Sequence, residues 1–317
     1  MTKGITNQRI TETPIAIIDF ETTGLTAGYD RVVEVSVVRI DPGQAPRLAF
    51  DSLVNPCRQM AATEVHGITD ADVAKAPTFS DIAGEVVAAT SGCVIAAYNV
   101  YFDVQFLDFE LGNAGVDHTP PHFCLMYLRP MLGLGARCKL EEACKQHGVD
   151  RAVSHIASAD AMASADLFLR YLAEIDAQGI VTFGDLARLR KYKFVESFDL
   201  APLPAESTFG LQRFSTNASR AASAAAQPPT LTPAAAYWDL LKSVLVDLEV
   251  TDQEVAAIES EKDRSGISPE EVRVLHARAF TSVISQFAAD KLINDREQGR
   301  LRRLYECLTR LGWAPGQ

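Results

Sequence analysis

The chain has 317 residues, 47% hydrophobic and 22% charged, with a formal net charge of −11. That composition excludes a wholly disordered, collagenous or coiled-coil protein, and the length suits two domains rather than one. An acidic chain is not a passive polyanion binder, so contact with nucleic acid would need metal ions or a local basic patch.

No apolar run approaches the roughly 18–20 residues of a membrane helix, which speaks against a membrane partner. The first residues, MTKGITNQRITETP, lack the apolar stretch of a secretory signal, so a cytoplasmic location is expected. The six cysteines (Cys57, Cys93, Cys124, Cys138, Cys144, Cys307) form no C-x-x-C pair. They read as reduced packing thiols rather than a zinc site or a disulfide framework.

Residues 14–195 alternate strand and helix patterns. Pro14 to Phe20 (PIAIIDF) predicts a buried strand. Arg31 to Asp41 alternates and ends at Pro42-Gly43, as a strand running into a turn. Leu48 to Val54 predicts a third strand, and Phe79 to Thr90 a helix with Ser80 near its N-cap. Cys93 to Tyr98 predicts another short strand. Helical periodicity covers Phe102 to Leu111, Lys139 to His147 and Ala157 to Leu172. Three early strands followed by alternating helices and strands indicate an α/β layered domain with a mixed sheet.

Residues 196–236 change character. Asn217 to Ala236 is a Ser/Ala/Pro tract with a single charge and reads as a linker. Phe194 to Phe214 keeps several aromatics and reads as an extended arm packed on one domain. Residues 237–317 predict an all-α domain. It contains a repeat: Asp247 to Glu254 and Asp290 to Glu297 share the pattern D-x-x-[VI]-[TN]-D-x-E. Such spacing suits two helix–loop–helix units. Thr251-x-x-Glu254 and Asn294-x-x-Glu297 fit helix capping better than calcium loops, since neither has the regular EF-hand ligand series.

The chemistry concentrates in three segments. Asp19-x-Glu21 ends the first strand, and alternate strand residues share a face, so both carboxylates point together. Two acids on one face repel unless a cation neutralises them, and hard divalent ions accept such oxygen ligands. The second segment is Asn99-Val-Tyr-Phe-Asp103 at a strand-to-helix junction. Its bland reading is capping by Asn99 and a dipole interaction for Asp103. The third, His155-Ile-Ala-Ser-Ala-Asp160, sets a candidate base beside a candidate ligand at a helix start.

In order and spacing these segments resemble the DEDDh 3′→5′ exonucleases of the DnaQ-like (proofreading ε subunit) family. The resemblance covers about residues 14–175, and His66-Gly67-Ile68-Thr69 is similar to a segment often found between its first two motifs. One departure is the run S-A-D-A-M-A around Asp160, where a large apolar residue more usually precedes the Asp; the His–Asp spacing is intact. The resemblance implies a ribonuclease H-like mixed sheet flanked by helices. It implies two divalent cations, Mg²⁺ or Mn²⁺. Asp19, Glu21 and Asp160 would hold one of them, Asp19 and Asp103 the other, with His155 as general base. It further implies that Thr22, Thr23, Leu25, His66 and Phe102 touch or flank the 3′-terminal nucleotide. Single-stranded DNA is the favoured substrate, with RNA trimming and a non-catalytic end-binding module as alternatives.

Arg188, Arg190, Lys191 and Lys193 are basic candidates for strand contact, with Tyr192 able to stack on a base; a solvated helix end is the bland alternative. The C-terminal segment is similar to the TerB-like helical domain, which implies an accessory module with a possible protein partner. Its Arg296, Arg300, Arg302 and Arg303 could meet nucleic acid or an acidic partner, or equally form a solvated face. On this division, 1–195, 196–236 and 237–317, removing the last segment is expected to leave the hydrolysis of short oligonucleotides intact.

Overall fold

The computed structural model describes residues 4–28, 30–58, 66–150, 156–211, 234, 237, 238, 240, 241, 252–288 and 295–313. These fall into two compact units. One contains the described residues up to 211 except 22–31 and 66–69; the other joins 22–31 and 66–69 to everything described from 234 onward.

The first unit is built on five strands: β1 (Ile15–Thr22), β2 (Val32–Ile40), β3 (Arg47–Leu53), β4 (Val94–Ala97) and β5 (His122–Cys124). Their order across the sheet is β3-β2-β1-β4-β5. β2 and β3 are antiparallel, whereas β1–β4 and β4–β5 are parallel, giving the expected mixed sheet. β2 reads VVEVSVVRI, and every position except Arg39 is buried. Such a run survives only with cover on both faces. The helices α2 (Phe79–Thr90) and α6 (Ala157–Ala177) both pack on β2.

α2 begins at its predicted residue but is capped differently. Thr78, not Ser80, is the N-cap; its side chain accepts from the Asp81 amide while Asp81 accepts from the Thr78 amide. A reciprocal box of this kind satisfies two orphan donors at once and so outcompetes a lone Ser two residues later. The remaining helices of this unit are α1 (Asp70–Val73), α3 (Val100–Asn113), α4 (Leu125–Met131), α5 (Leu140–His147) and α7 (Phe183–Leu189).

The expected arm is part of this unit's core. Residues Lys193–Asp199 form a 3-10 helix along β5 and bury Phe194 and Phe198. The Ser197 hydroxyl accepts from the His122 amide at 2.9 Å and lies 3.0 Å from the His122 carbonyl. Further on, Leu203 is buried and its carbonyl accepts from Gly92 at 2.9 Å. The unit therefore runs past residue 195, because these apolar side chains complete its interior.

The second unit holds α8 (Asp252–Ser265), α9 (Pro269–Ala288) and α10 (Asp295–Arg310). Tyr237, Leu241, Ile258, Leu275, Leu308 and Trp313 lie within its apolar core, and Leu25 packs against that core. Its observed capping box is Ser268-x-x-Glu271: Glu271 accepts from the Ser268 amide at 2.9 Å and Ser268 from the Glu271 amide at 3.2 Å. The boxes expected at Thr251 and Asn294, and with them the repeat's loops, lie outside the described residues. Among the described residues no helix is long and apolar enough to cross a membrane.

His276 and Tyr237 are both fully buried in this core, with Tyr237 Oη and His276 Nε2 2.7 Å apart. Burial, aided by the Lys262 charge, pushes the imidazole down to about 4. An unfolded histidine takes up a proton near pH 6.5, so the neutral native form contributes stability above that value. The contribution drains away as pH falls from about 6.5 to 4, by on the order of 3 kcal/mol. Both tryptophans, Trp238 and Trp313, belong to the same core and report on it. Urea unfolding followed by tryptophan fluorescence is expected to lose midpoint over that window, and His276→Gln to flatten the loss. An equal slope in the variant would refute the assignment.

Candidate active site

β1 carries the D-x-E pair at its C-terminal end. β4 runs beside β1 in register from Ile15↔Val94 to Ile17↔Ala96 and ends at Ala97. β1 therefore outruns its neighbour by several residues, and Asp19 to Thr22 extend past the edge of the parallel sheet. Strand C-termini at such a place are where α/β sheets commonly bind ligands. The chain leaving β4 turns at Tyr98-Asn99 into α3, whose first turn faces this extension.

Asp103 sits in that first turn. Its Oδ1 accepts from the amide of Phe20 at 3.1 Å, the residue between the two β1 acids. Thus three of the predicted acids are gathered along one short piece of backbone. Glu21 and Asp103 are each 5% exposed, Asp160 is 6% exposed, and Asp19 is half-buried. The capping alternative for Asn99 does not hold: Asn99 occupies the N-cap position but makes no side-chain cap bond, and its buried Oδ1 has no hydrogen-bond partner among the described residues.

Asp160 lies in the first turn of α6 and its amide bonds to the Ile156 carbonyl. The start of α6 is fixed by a residue the sequence reading passed over. Glu34, on β2 and with no exposure at all, accepts from the Ala157 amide at 3.3 Å through Oε2. Ala157 is the first residue of the helix, where an amide lacks an intrahelical partner and the dipole favours a negative group. On α3, Glu110 is 1% exposed and accepts from the Val32 amide at 3.4 Å, at the start of β2. The available signal for Glu34 was a lone charge inside the apolar run VVEVSVV. A strand buried on both faces keeps such a residue only with a partner. His155 lies outside the described residues.

Among the described residues no group of three or more His, Cys, Asp or Glu side chains stands ready to hold a metal ion. The donor types nevertheless fit a hard divalent cation: Asp19, Glu21, Asp103 and Asp160 offer carboxylate oxygens only, three of them from buried positions. Cys124, at the end of β5, is no competing nucleophile, because burial pushes its thiol up to about 11.

The loop after the D-x-E pair belongs to the second unit and is organised by Asp30, also absent from the sequence reading. Asp30 is 4% exposed. Its carboxylate accepts from the Thr23 hydroxyl at 3.2 Å and from the Thr26 amide at 3.0 Å. The Thr23 hydroxyl also accepts from the Arg31 amide at 3.1 Å, and the Thr22 hydroxyl donates to the Gly24 carbonyl at 2.6 Å. A Cβ on Gly24 would lie 2.5 Å from the Asp30 carboxylate, so glycine is required there by close approach. Thr22 and Thr23 thus spend their hydroxyls inside the loop, while Leu25 is half-buried against the helical core.

His66 is fully buried and its Nδ1 accepts from the Ile68 amide at 3.0 Å, around Gly67 at φ +69°. In that arrangement it braces a turn. Phe102, back in the first unit, is 6% exposed and packs on Phe106 with ring centroids 5.1 Å apart.

Residues 16–168, just under half of the chain, match the family model described as Exonuclease (RNase_T). The DNA polymerase III subunit epsilon-like protein of Rhodobacter capsulatus is 34% identical over 198 residues, covering 58% of this chain and 28% of that protein. The PolC-type DNA polymerase III of Thermotoga petrophila is 26% identical over 177 residues, covering 55% of this chain and 13% of the polymerase. This chain spans less than a third of the length of these curated relatives. Among solved structures, that of cell-death related nuclease 4 (CRN-4) aligns with a TM-score of 0.42 at 15% identity, over 53% of this chain and 66% of that one.

The role of Glu34 is open to test by stability. Glu34→Ala, which strands the Ala157 amide, is expected to cost about 1–3 kcal/mol in denaturant unfolding of the first unit. Glu34→Gln keeps an acceptor and is expected to cost less than half as much. Equal losses would show that the amide bond is not what Glu34 contributes.

Proposed function

We propose that the chain is a metal-dependent 3′→5′ exonuclease that acts on single-stranded DNA and releases nucleoside 5′-monophosphates. The observation that carries the reading is the Asp103 carboxylate on the amide between Asp19 and Glu21, inside the segment that matches the Exonuclease family model. Asp19, Glu21 and Asp160 hold one divalent cation, Mg²⁺ or Mn²⁺, and Asp19 with Asp103 holds a second. Bound there, such ions supply an activated water and a stabilised leaving oxygen on opposite sides of the phosphorus. His155 takes the proton from the attacking water, a task suited to an imidazole that titrates near neutrality. Thr22, Thr23, Leu25, His66 and Phe102 shape the place of the terminal nucleotide, the two threonines and His66 through the backbone they brace.

The helical unit, on this reading a TerB-like module, does more than hang from a linker. Leu25 packs on its core and stands four residues after Glu21, so the helices help to hold the loop that follows the catalytic acids. The expectation that residues 235–317 are dispensable for hydrolysis meets its test at this contact. Leu25→Ser in the full chain is expected to raise KM for a short oligonucleotide several-fold while Asp19 and Glu21 still bind cation. An unchanged KM would restore the tethered-accessory view.

The central test is a time course on 5′-labelled single-stranded DNA and RNA with Mg²⁺ or Mn²⁺, against EDTA and Asp19→Ala. A descending metal-dependent ladder that is faster on DNA is expected, and its loss in Asp19→Ala. A faster RNA ladder would make the enzyme an RNA trimmer. A cation that binds the folded chain and not the unfolded one stabilises the fold. Mn²⁺ is therefore also expected to raise the thermal midpoint of the wild type but not of Asp19→Ala. No ladder on either polymer, with that midpoint shift present, would leave an end-binding module.

A further inference from the structure

The basic segment that follows α7 is not a free helix end. Arg190, Lys191 and Lys193 surround Tyr192 and are all exposed. Among the described residues none of the three forms an ion pair. Their neighbour Arg188 differs, since it is bound to Asp185 at 3.1 Å. Three uncompensated cations within four residues are a pronounced local excess in a chain of net charge −11.

Aromatic packing fixes where this excess sits. Tyr192 meets Tyr127 edge-on with centroids 4.7 Å apart and stacks beside Phe194 at 6.0 Å. Tyr127 in turn meets Tyr101 edge-on at 5.6 Å, and the Tyr101 hydroxyl accepts from the Phe194 amide at 3.1 Å. Two guanidinium groups lie over this cluster, Arg137 at 4.8 Å from the Tyr127 centroid and Arg190 at 5.3 Å from that of Tyr192. Tyr101 belongs to the same first turn of α3 as Asp103. The cations are thereby anchored beside the helix start that presents the catalytic acid.

We infer that Arg190, Lys191 and Lys193, with Arg137 and the Tyr192 ring, form a track for the phosphate backbone of single-stranded DNA leading to the acidic centre. The direction of the strand rests on the exonuclease reading; the binding itself does not. The chemistry is that of single-strand binding surfaces, in which cations follow the phosphates; the Tyr192 ring, packed on Phe194 and Tyr127, holds Arg190 in place. It also meets the demand that an acidic chain raises, a local positive region to offset its overall field.

The test is fluorescence anisotropy of a 5′-labelled dT16 with the full chain in EDTA, across a range of NaCl. Arg190→Gln/Lys191→Gln is expected to bind about tenfold more weakly at low salt. Its log–log salt slope is expected to be shallower by about 1.4, since each single-strand phosphate contact contributes about 0.7. Arg188→Gln, which removes a paired charge, is expected to keep the wild-type slope. Unchanged affinity and slope in the double variant would overturn the track, and so would an equal loss in Arg188→Gln. Hydrolysis of the 4-nitrophenyl ester of thymidine 5′-monophosphate by the wild type probes the catalytic centre separately. Its absence would sink the exonuclease reading while leaving the binding titration to decide the track.

Discussion

The arrangement rests on one backbone amide. β4 stops at Ala97 while β1 continues, and the Phe20 N–H beyond that point is taken by the carboxylate of Asp103. A buried amide without a partner would cost about 1–3 kcal/mol. The bond does more than satisfy it, since it fixes the start of α3 against the end of β1. The acids at positions 19 and 21 thereby acquire a third beside them, drawn from a segment more than 80 residues away in sequence. Were β4 longer by a few residues, its own carbonyls would occupy that edge and the helix acid would have no seat.

The same device recurs in the first unit. Asp103, Glu110 and Glu34 are all almost wholly buried, and each accepts from a main-chain amide at a strand end or a helix start. Backbone dipoles thus take on part of the task of solvating charge in the interior. An acid-rich site needs such an arrangement, because carboxylates offered to a cation must also be tolerated by the fold around them. The aromatic cluster around Tyr127 supplies the opposite sign nearby, holding guanidinium groups over ring faces.

Much of this was legible in the residues. β1, β2 and α2 announced themselves by strand and helix periodicity, and the order of the three acidic segments pointed to the chemistry. Short elements escaped. β5 has three residues, HFC, too few to display alternation, and α4 contains Pro130. α7 is a seven-residue helix whose capping box, Thr182 with Asp185, was overlooked. The arm was recognised by its aromatics but cut at residue 195, since nothing in composition tells an apolar side chain that finishes a core from one that decorates a linker. Glu34, Glu110 and Asp30 were missed for a common reason. Each accepts from a main-chain amide, and an amide has no letter in the sequence. The attachment of Leu25 to the helical core was equally hidden, as it joins segments more than 200 residues apart.

The contact of Ser197 with His122 reaches beyond the interior of the unit. β5 is the last strand of its sheet, and an edge strand with open N–H and C=O groups is a template for another chain. One hydroxyl engages both main-chain groups of His122, and the 3-10 turn that carries it lies over the strand. This cover makes the addition of a further strand at His122 unfavourable. The opposite border is β3. It carries the charge of Arg47 at its tip and a register break where β2 shifts between Val37 and Val38, features that make a flat edge-to-edge match between molecules unfavourable.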